Sequence, residues 1–350
     1  MRILLIGGTG VIGICLAENL QQMGHQVMIT SRRHHVGNGF ISYWECNARK
    51  DDFLDELGAQ YFDAIVDFMG YHTEEFKDRV EKLLDSTDHY FFLSSSRVYA
   101  ESEDPITEKS PMLLDVCREE EYLHTDEYAL SKAREERILR NAGKKNWTIV
   151  RPYITYGKNR LQLEGMEKEE WLYRAMLGRI VLVSQDLLEK QTTMTHAADV
   201  AFCIANLIGR ENAKSEDFNV TGTDSMTWRD VLNIYSEVFR QKGITFRVKE
   251  VESAMDIHYP WANYQICYDR IYNRTFSNQK ILSFIGEHAF TPMAIGLRES
   301  LIFFLEHPQF KQIDWNMEAH KDKLSGECAN LSEMVGVKPK LRYILHRFFK

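Results

Sequence analysis

The spacing of hydrophobic residues changes character within the first twenty positions. Ile3-Leu4-Leu5-Ile6 is an unbroken apolar run, the pattern of a strand buried on both faces. Glycines follow at 7, 10 and 13, and beyond them Val11, Ile12, Cys15, Leu16 and Leu20 recur at helical spacing. Apolar runs return at 26–30, 41–44, 62–68, 89–93 and 147–157, and again at 217–223. Helical segments lie between them, at 73–84 and, most regularly, at 126–139. Thr227 and Asp230 form a capping pattern ahead of a further helix. Strands alternating with helices predict an α/β protein built on a doubly wound parallel sheet.

The opening strand, glycine-rich turn and helix carry the first chemistry. Gly7 permits a tight turn, Gly10 lets the backbone approach a pyrophosphate, and Gly13 lets helix pack on strand. The helix N-terminus then presents free N–H groups to phosphate, so Gly7, Thr9, Gly10, Val11, Ile12 and Gly13 are the candidate dinucleotide site. The second strand ends in Ser31-Arg32-Arg33. An acidic residue there would accept from the ribose 2′-hydroxyl of NAD; two arginines suit the 2′-phosphate of NADP instead. NADP(H) is therefore expected over NAD(H). Met69 and Gly70 follow the fourth strand, where a loop faces the cofactor.

Ser94-Ser95-Ser96-Arg97-Val98-Tyr99 follows the fifth strand, at the end where parallel sheets place ligands. Tyr128 and Lys132 stand four apart on the strongest helical segment and share a face. An ammonium beside a phenol favours the phenolate, so Tyr128 is suited to exchange a proton with a substrate oxygen. Glycine turn, serine cluster and Tyr-x-x-x-Lys, in that order, resemble the extended short-chain dehydrogenases/reductases of the NAD-dependent epimerase/dehydratase family. The turn Gly8-Thr9-Gly10-Val11-Ile12-Gly13 resembles their T-G-x-x-G-x-x-G, and residues 94–99 their S-S-x-x-V-Y. The resemblance implies Ser95 as the catalytic hydroxyl, with Ser96 in reserve, and Lys132 also on the nicotinamide ribose. It places an acidic residue near Asn47, against the adenine. Ser94 and Tyr153 complete the expected cofactor contacts; Ser96, Arg97, Arg270 and Arg274 are the expected substrate contacts.

Departures from the family pattern bear on the reaction. Arg151-Pro152 and Tyr156-Gly157 resemble R-P-x-N-x-Y-G, but Ile154 stands at the Asn that commonly meets the sugar nucleotide. Ala100 replaces the usual Gly. Ser96-Arg97 replaces the acidic pair that dehydratases carry after the catalytic hydroxyl. His196 and Asp199 read as residues of a strand-to-helix junction. Residues 255–278 are rich in aromatics (His258, Tyr259, Trp261, Tyr264, Tyr268, Tyr272, Phe276) with Arg270 and Arg274 between them. They suit either a substrate wall or an ordinary core.

Composition narrows the remaining choices. The chain has 350 residues, 44% of them apolar, enough for one large or two modest domains. The expected division is a dinucleotide-binding domain over 1–157 with return segments near 192–224, a smaller substrate lobe from 158–191 and 225–300, and a helical extension over 301–350. A net charge of −8 without a long basic block argues against nucleic acid as main partner. The cysteines at 15, 46, 117, 203, 267 and 328 have no metal-pair spacing, so free thiols, no metal and a cytoplasmic protein are expected. The first apolar run is too short for a signal peptide, and none reaches transmembrane length. Leu341, Ile344, Leu345, Phe348 and Phe349 fall at helical spacing among Lys340, Arg342, Arg347 and Lys350. This tail is read as docking on the protein itself or on a second subunit, with an anionic membrane surface as the alternative. The resemblance implies a homodimer and a nucleotide-sugar substrate. The cofactor reading and the missing acidic pair favour an NADP(H)-dependent reductase, and the resemblance implies a nucleotide-activated 4-keto, 6-deoxy sugar as its substrate. A 4-epimerase with tightly bound NAD, and a non-catalytic nucleotide-sensing or RNA-associated protein, are the alternatives.

Overall fold

The computed structural model describes residues 1–257 and 262–349. Among them, seven parallel strands make the central sheet: β1 Arg2–Ile6, β2 Gln26–Ser31, β3 Ile41–Glu45, β4 Ala64–Asp67, β5 Tyr90–Leu93, β6 Trp147–Pro152 and β7 Glu216–Val220. Their order is β7-β6-β5-β4-β1-β2-β3. The direction of growth reverses between β1 and β4, so the ends of these strands border the crevice where doubly wound sheets receive ligands. The α/β expectation is met.

Helices α1 Val11–Gln22, α2 Asp51–Gly58, α3 Thr73–Asp85, α4 Tyr128–Asn141 and α5 Ala197–Leu207 cover the sheet. The pleat sends Ile3 and Leu5 into one core with Leu16, Leu20 and Val200, and Leu4 and Ile6 into the other with Phe53, Leu57 and Phe76. Both faces are covered, which is why the β1 run is apolar without alternation. Helix α4 is bound to the sheet by charge. Arg151 of β6, 1% exposed, donates from Nε to Glu136 Oε1 at 2.7 Å and from Nη2 to Oε2 at 2.5 Å. Its Nη1 reaches Tyr99 Oη at 2.6 Å and lies 2.8 Å from Asp217 on β7.

The chain divides into two compact units. The first holds Met1–Thr155, Thr193–Asp224 and Thr275–Met293; the second holds Tyr156–Thr192, Ser225–Arg274 and Ala294–Lys350. The division differs from the expected one at 275–293. Phe276 bridges to Ile106, Asn278 donates to the Thr221 carbonyl at 2.5 Å, and Phe284 packs edge-on against Phe218 at 4.8 Å. At the junction into α5, His196 Nδ1 accepts the Ala198 N–H and Asp199 accepts the Thr291 N–H.

The second unit contains α6 Trp228–Gln241, α7 Trp315–Ser325 and α8 Val337–Phe348. Thr227 and Asp230 form the expected capping box on α6. Residues beyond 300 are integral to this unit rather than a separate extension. Arg174, fully buried, binds Glu318 at 2.8 Å and Asp322 at 2.9 Å on α7. Tyr343 of α8 donates to Asp322 at 2.5 Å and accepts the Ala329 N–H at 2.7 Å.

Glu164, fully buried, accepts the N–H of Ser184 at 3.0 Å and lies 3.0 Å from its hydroxyl. Burial pushes its carboxyl up to about 8. A folded-state value above the unfolded one means that stability is fully present below the unfolded value and lost as pH rises through about 8. Each pH unit by which the folded value exceeds the unfolded one is worth about 1.4 kcal/mol. Glu164→Gln should therefore lose less stability than the wild type between pH 5 and 8.5. Urea midpoints across that range measure this; parallel pH curves for the two proteins would contradict it.

Candidate functional site

The glycine turn is built by contact and not by flexibility alone. Gly7 has φ +69°, and its N–H donates to Thr30 Oγ1 at 2.8 Å. A Cβ at Gly13 would lie 2.3 Å from the Gly8 carbonyl oxygen, and one at Gly8 would lie 2.7 Å from Leu5 Cβ. A Cβ at Gly10 would meet nothing within 4 Å. The first and third glycines thus serve the turn and the helix–strand contact, while the second leaves its backbone open. Gly10 caps α1 without a side chain, and the first turn of α1 carries no acidic residue. Thr9 is exposed, and Val11 and Ile12 are half-buried. A phosphate is favoured at such a helix start.

Arg32 and Arg33 follow β2, both exposed, and neither guanidinium has a protein partner among the described residues. Ser31 Oγ accepts the Arg33 N–H at 3.1 Å. Glu45 stands opposite Ser31 on β3, with its carboxylate 3.4 Å from His34. Asn47 is exposed and its Oδ1 accepts the Arg49 N–H at 3.2 Å. Arg49 also binds Glu75 and the carbonyl of Gly70. Met69 lies beside the turn: a Cβ on Gly7 would come 2.9 Å from its sulfur.

The three serines after β5 separate by where their hydroxyl protons go. Ser94 donates to Glu136 at 2.6 Å and Ser96, fully buried, to the Arg151 carbonyl at 2.9 Å. Their hydroxyl protons serve the packing of α4 and β6. Ser95 Oγ accepts the Arg97 N–H at 3.2 Å, and its own proton has no acceptor among the described residues.

Tyr128 opens α4, behind the cap residue Glu127. It is 45% exposed, and its hydroxyl has no partner among the described residues. Arg97 sits over its ring at 5.4 Å and is held by Glu127 at 2.6 Å. One turn on, Lys132 is buried, its ammonium 2.9 Å from Glu135 Oε2, 3.2 Å from the Met69 carbonyl and 4.4 Å from the centre of the Phe92 ring. Glu135 Oε1 also accepts from Ser131 at 2.7 Å. Asp67, at the end of β4, accepts from Tyr90, Tyr71 and the Met69 N–H at 2.8–2.9 Å; burial nevertheless pushes its carboxyl up. Sequence alone does not single out Glu135 or Asp67. An acid three residues beyond a lysine on a buried helix face is the signal that could have found Glu135.

Other expected contacts lie elsewhere. Tyr153 is buried, its ring 5.1 Å from that of Phe276. Ile154 has φ +30°, a strained setting for a β-branched residue. In the second unit, Arg270 and Arg274 are 4% and 0% exposed and both bind Asp269. Their charges face a buried carboxylate. Tyr264 and Tyr268 stack at 6.3 Å, and Tyr272 lies beneath Arg274 at 5.2 Å. His258, Tyr259 and Trp261 lie outside the described residues.

The model of the NAD dependent epimerase/dehydratase family matches residues 3–221. The chain is 29% identical over 244 residues to chloroplast stem-loop binding protein of 41 kDa b from Arabidopsis thaliana, covering 65% of this chain and 60% of that relative. Among solved structures, the UDP-glucuronic acid 4-epimerase from Bacillus cereus, in complex with UDP-glucuronic acid and NAD, superposes with a TM-score of 0.66 at 15% identity. The match covers 87% of this chain and 99% of that one. The dTDP-glucose 4,6-dehydratase from Bacillus anthracis, in complex with NAD, gives 0.67 at 16% identity, over 88% and 97%. These structural likenesses establish a shared fold.

The turn geometry predicts opposite outcomes for two similar substitutions. Gly13→Ala forces a methyl into the Gly8 carbonyl and should cost at least about 1–3 kcal/mol. Gly10→Ala has room and should cost within about 1 kcal/mol. Denaturant midpoints of the two variants test this; equal losses would show that the turn is not packed as described.

Proposed function

The chain belongs to the NAD dependent epimerase/dehydratase family, and we propose that within it the protein is an NADP(H)-dependent reductase of a nucleotide-activated keto sugar. The observation that carries the reading is two hydroxyls, on Ser95 and Tyr128, whose protons have no acceptor among the described residues. Of the three clustered serines only Ser95 keeps its proton free, and Tyr128 presents an exposed phenol at the start of the helix that holds Lys132. When bound, the nicotinamide nucleotide supplies the hydride. Ser95 donates a hydrogen bond to the substrate carbonyl oxygen, and Tyr128 gives that oxygen its proton. Lys132, paired with Glu135 at 2.9 Å, stands one turn along the helix from the phenol and reaches toward the ribose. Gly7, Gly10 and the start of α1 hold the pyrophosphate; Gly70 and Asn47 border the nucleotide. Arg32 and Arg33, exposed without protein partners, meet a 2′-phosphate. The absence of an acidic pair after Ser95, where Arg97 stands, argues against a dehydratase, and the 4-keto-6-deoxy sugar rests on analogy with the family.

A second reading has its own support. The Arabidopsis relative is named for binding stem-loops. Against it stand the net charge of −8 and the Ser95, Tyr128 and Lys132 set. Filter binding to a stem-loop RNA at physiological salt discriminates: tight binding moves the chain to the RNA reading.

Nucleotide released on denaturing the purified protein should be absent or NADP, and titration should favour NADPH over NADH. Arg32→Ala with Arg33→Ala should weaken NADPH binding about tenfold, the equivalent of roughly 1.4 kcal/mol, and leave NADH unchanged. Stoichiometric bound NAD would instead put the nucleotide-sugar 4-epimerase first. Against a panel of keto-sugar nucleotides, Tyr128→Phe should abolish turnover with NADPH affinity retained; full residual turnover refutes its role.

A further inference from the structure

Helix α8 is docked by one side only. Tyr343 is buried against Asp322 and Ala329, and Ile344 packs on the small cluster of Ala319, Ala329 and Met334. The opposite side is apolar and open. Val337, Leu341, Leu345 and Phe348 fall at i, i+4, i+8 and i+11, a single stripe, and are 71%, 56%, 51% and 59% exposed. Phe349, just beyond, is 77% exposed. Lys338 and Arg342, both exposed, run along one border of the stripe; Lys340 and Arg347 are half-buried beside Tyr343 on the docked side, where Arg347 Nε donates to the Glu327 carbonyl at 2.9 Å. Val337–Phe348 contains no acidic residue, and Lys338, Lys340 and Arg342 form no ion pair among the described residues.

We infer that this face of α8 seats the protein on an anionic lipid surface. An apolar stripe bordered by the exposed cations Lys338 and Arg342 matches a layer that is hydrophobic beneath and negative on top, entered about 5–10 Å deep by an interfacial helix. A second copy is a poor occupant. A two-fold contact through this stripe would set the cations of one helix against those of the other. The net charge of −8 makes the basic helix the local exception on an acidic chain, which orients it toward a negative surface. No helix among the described residues is long and apolar enough to cross a membrane, so the attachment is peripheral. The docking of the tail on its own protein runs through Tyr343, and it uses the other side of the helix from the stripe.

The test is sedimentation of the full chain with vesicles of phosphatidylcholine alone or with one quarter phosphatidylglycerol. The expected result is binding to the anionic vesicles only, weakened by raised salt. L345E with F348E should reduce binding at least tenfold, as should K338E with R342E, with thermal midpoints unchanged because all four side chains are exposed. Failure of the wild type to sediment with anionic vesicles at low salt overturns the inference. So does binding that both double variants leave intact, or a dimer in solution that L345E with F348E dissociates. None of these outcomes depends on the proposed reductase activity.

Discussion

The arrangement of the candidate site depends on one buried carboxylate. Glu136 receives two hydrogen bonds from Arg151 and one from Ser94, so a strand, the loop after its neighbour and the helix bearing Tyr128 and Lys132 converge on it. Removing one partner of such a buried pair leaves an uncompensated charge, at a cost of about 3–5 kcal/mol, which is a large share of a domain's stability. The arrangement also sets register. With Ser94 tied to Glu136 and Ser96 to the carbonyl of Arg151, Ser95 is the member of the cluster whose hydroxyl proton stays available.

A second layer of constraint lies one turn along the same helix. Lys132 is held by Glu135 and the Met69 carbonyl above the face of Phe92, with Asp67 buried nearby. The same Met69 flanks the glycine turn. The residues read as cofactor contacts and those read as proton donors are therefore parts of one packed assembly at the ends of β1, β4 and β5. That is the end where the topology of the sheet opens a crevice.

The second unit is stabilised in a different way. Its C-terminal helices are fastened by buried ion pairs, Arg174 with Glu318 and Asp322 above all, rather than by a large apolar interface. Such pairs specify geometry more than they add stability. They leave α8 free to turn an apolar stripe outward.

The sequence by itself determined the strands, the glycine turn and the helix with Tyr128 and Lys132. Each of these is a local pattern, set by runs, spacings and the backbone needs of glycine. It also placed Thr227 at a helix start and His196 and Asp199 at a strand-to-helix junction, because a cap is satisfied within three residues. What it left undecided were matters of long-range partnership. Ser94, Ser95 and Ser96 are chemically alike until Glu136 and the Arg151 carbonyl take two of their protons. The side of α8 that faces outward follows from where Tyr343 finds Asp322. Hydrogen bonds and burial between residues far apart in the chain decide these roles, and only the tertiary structure brings those partners together.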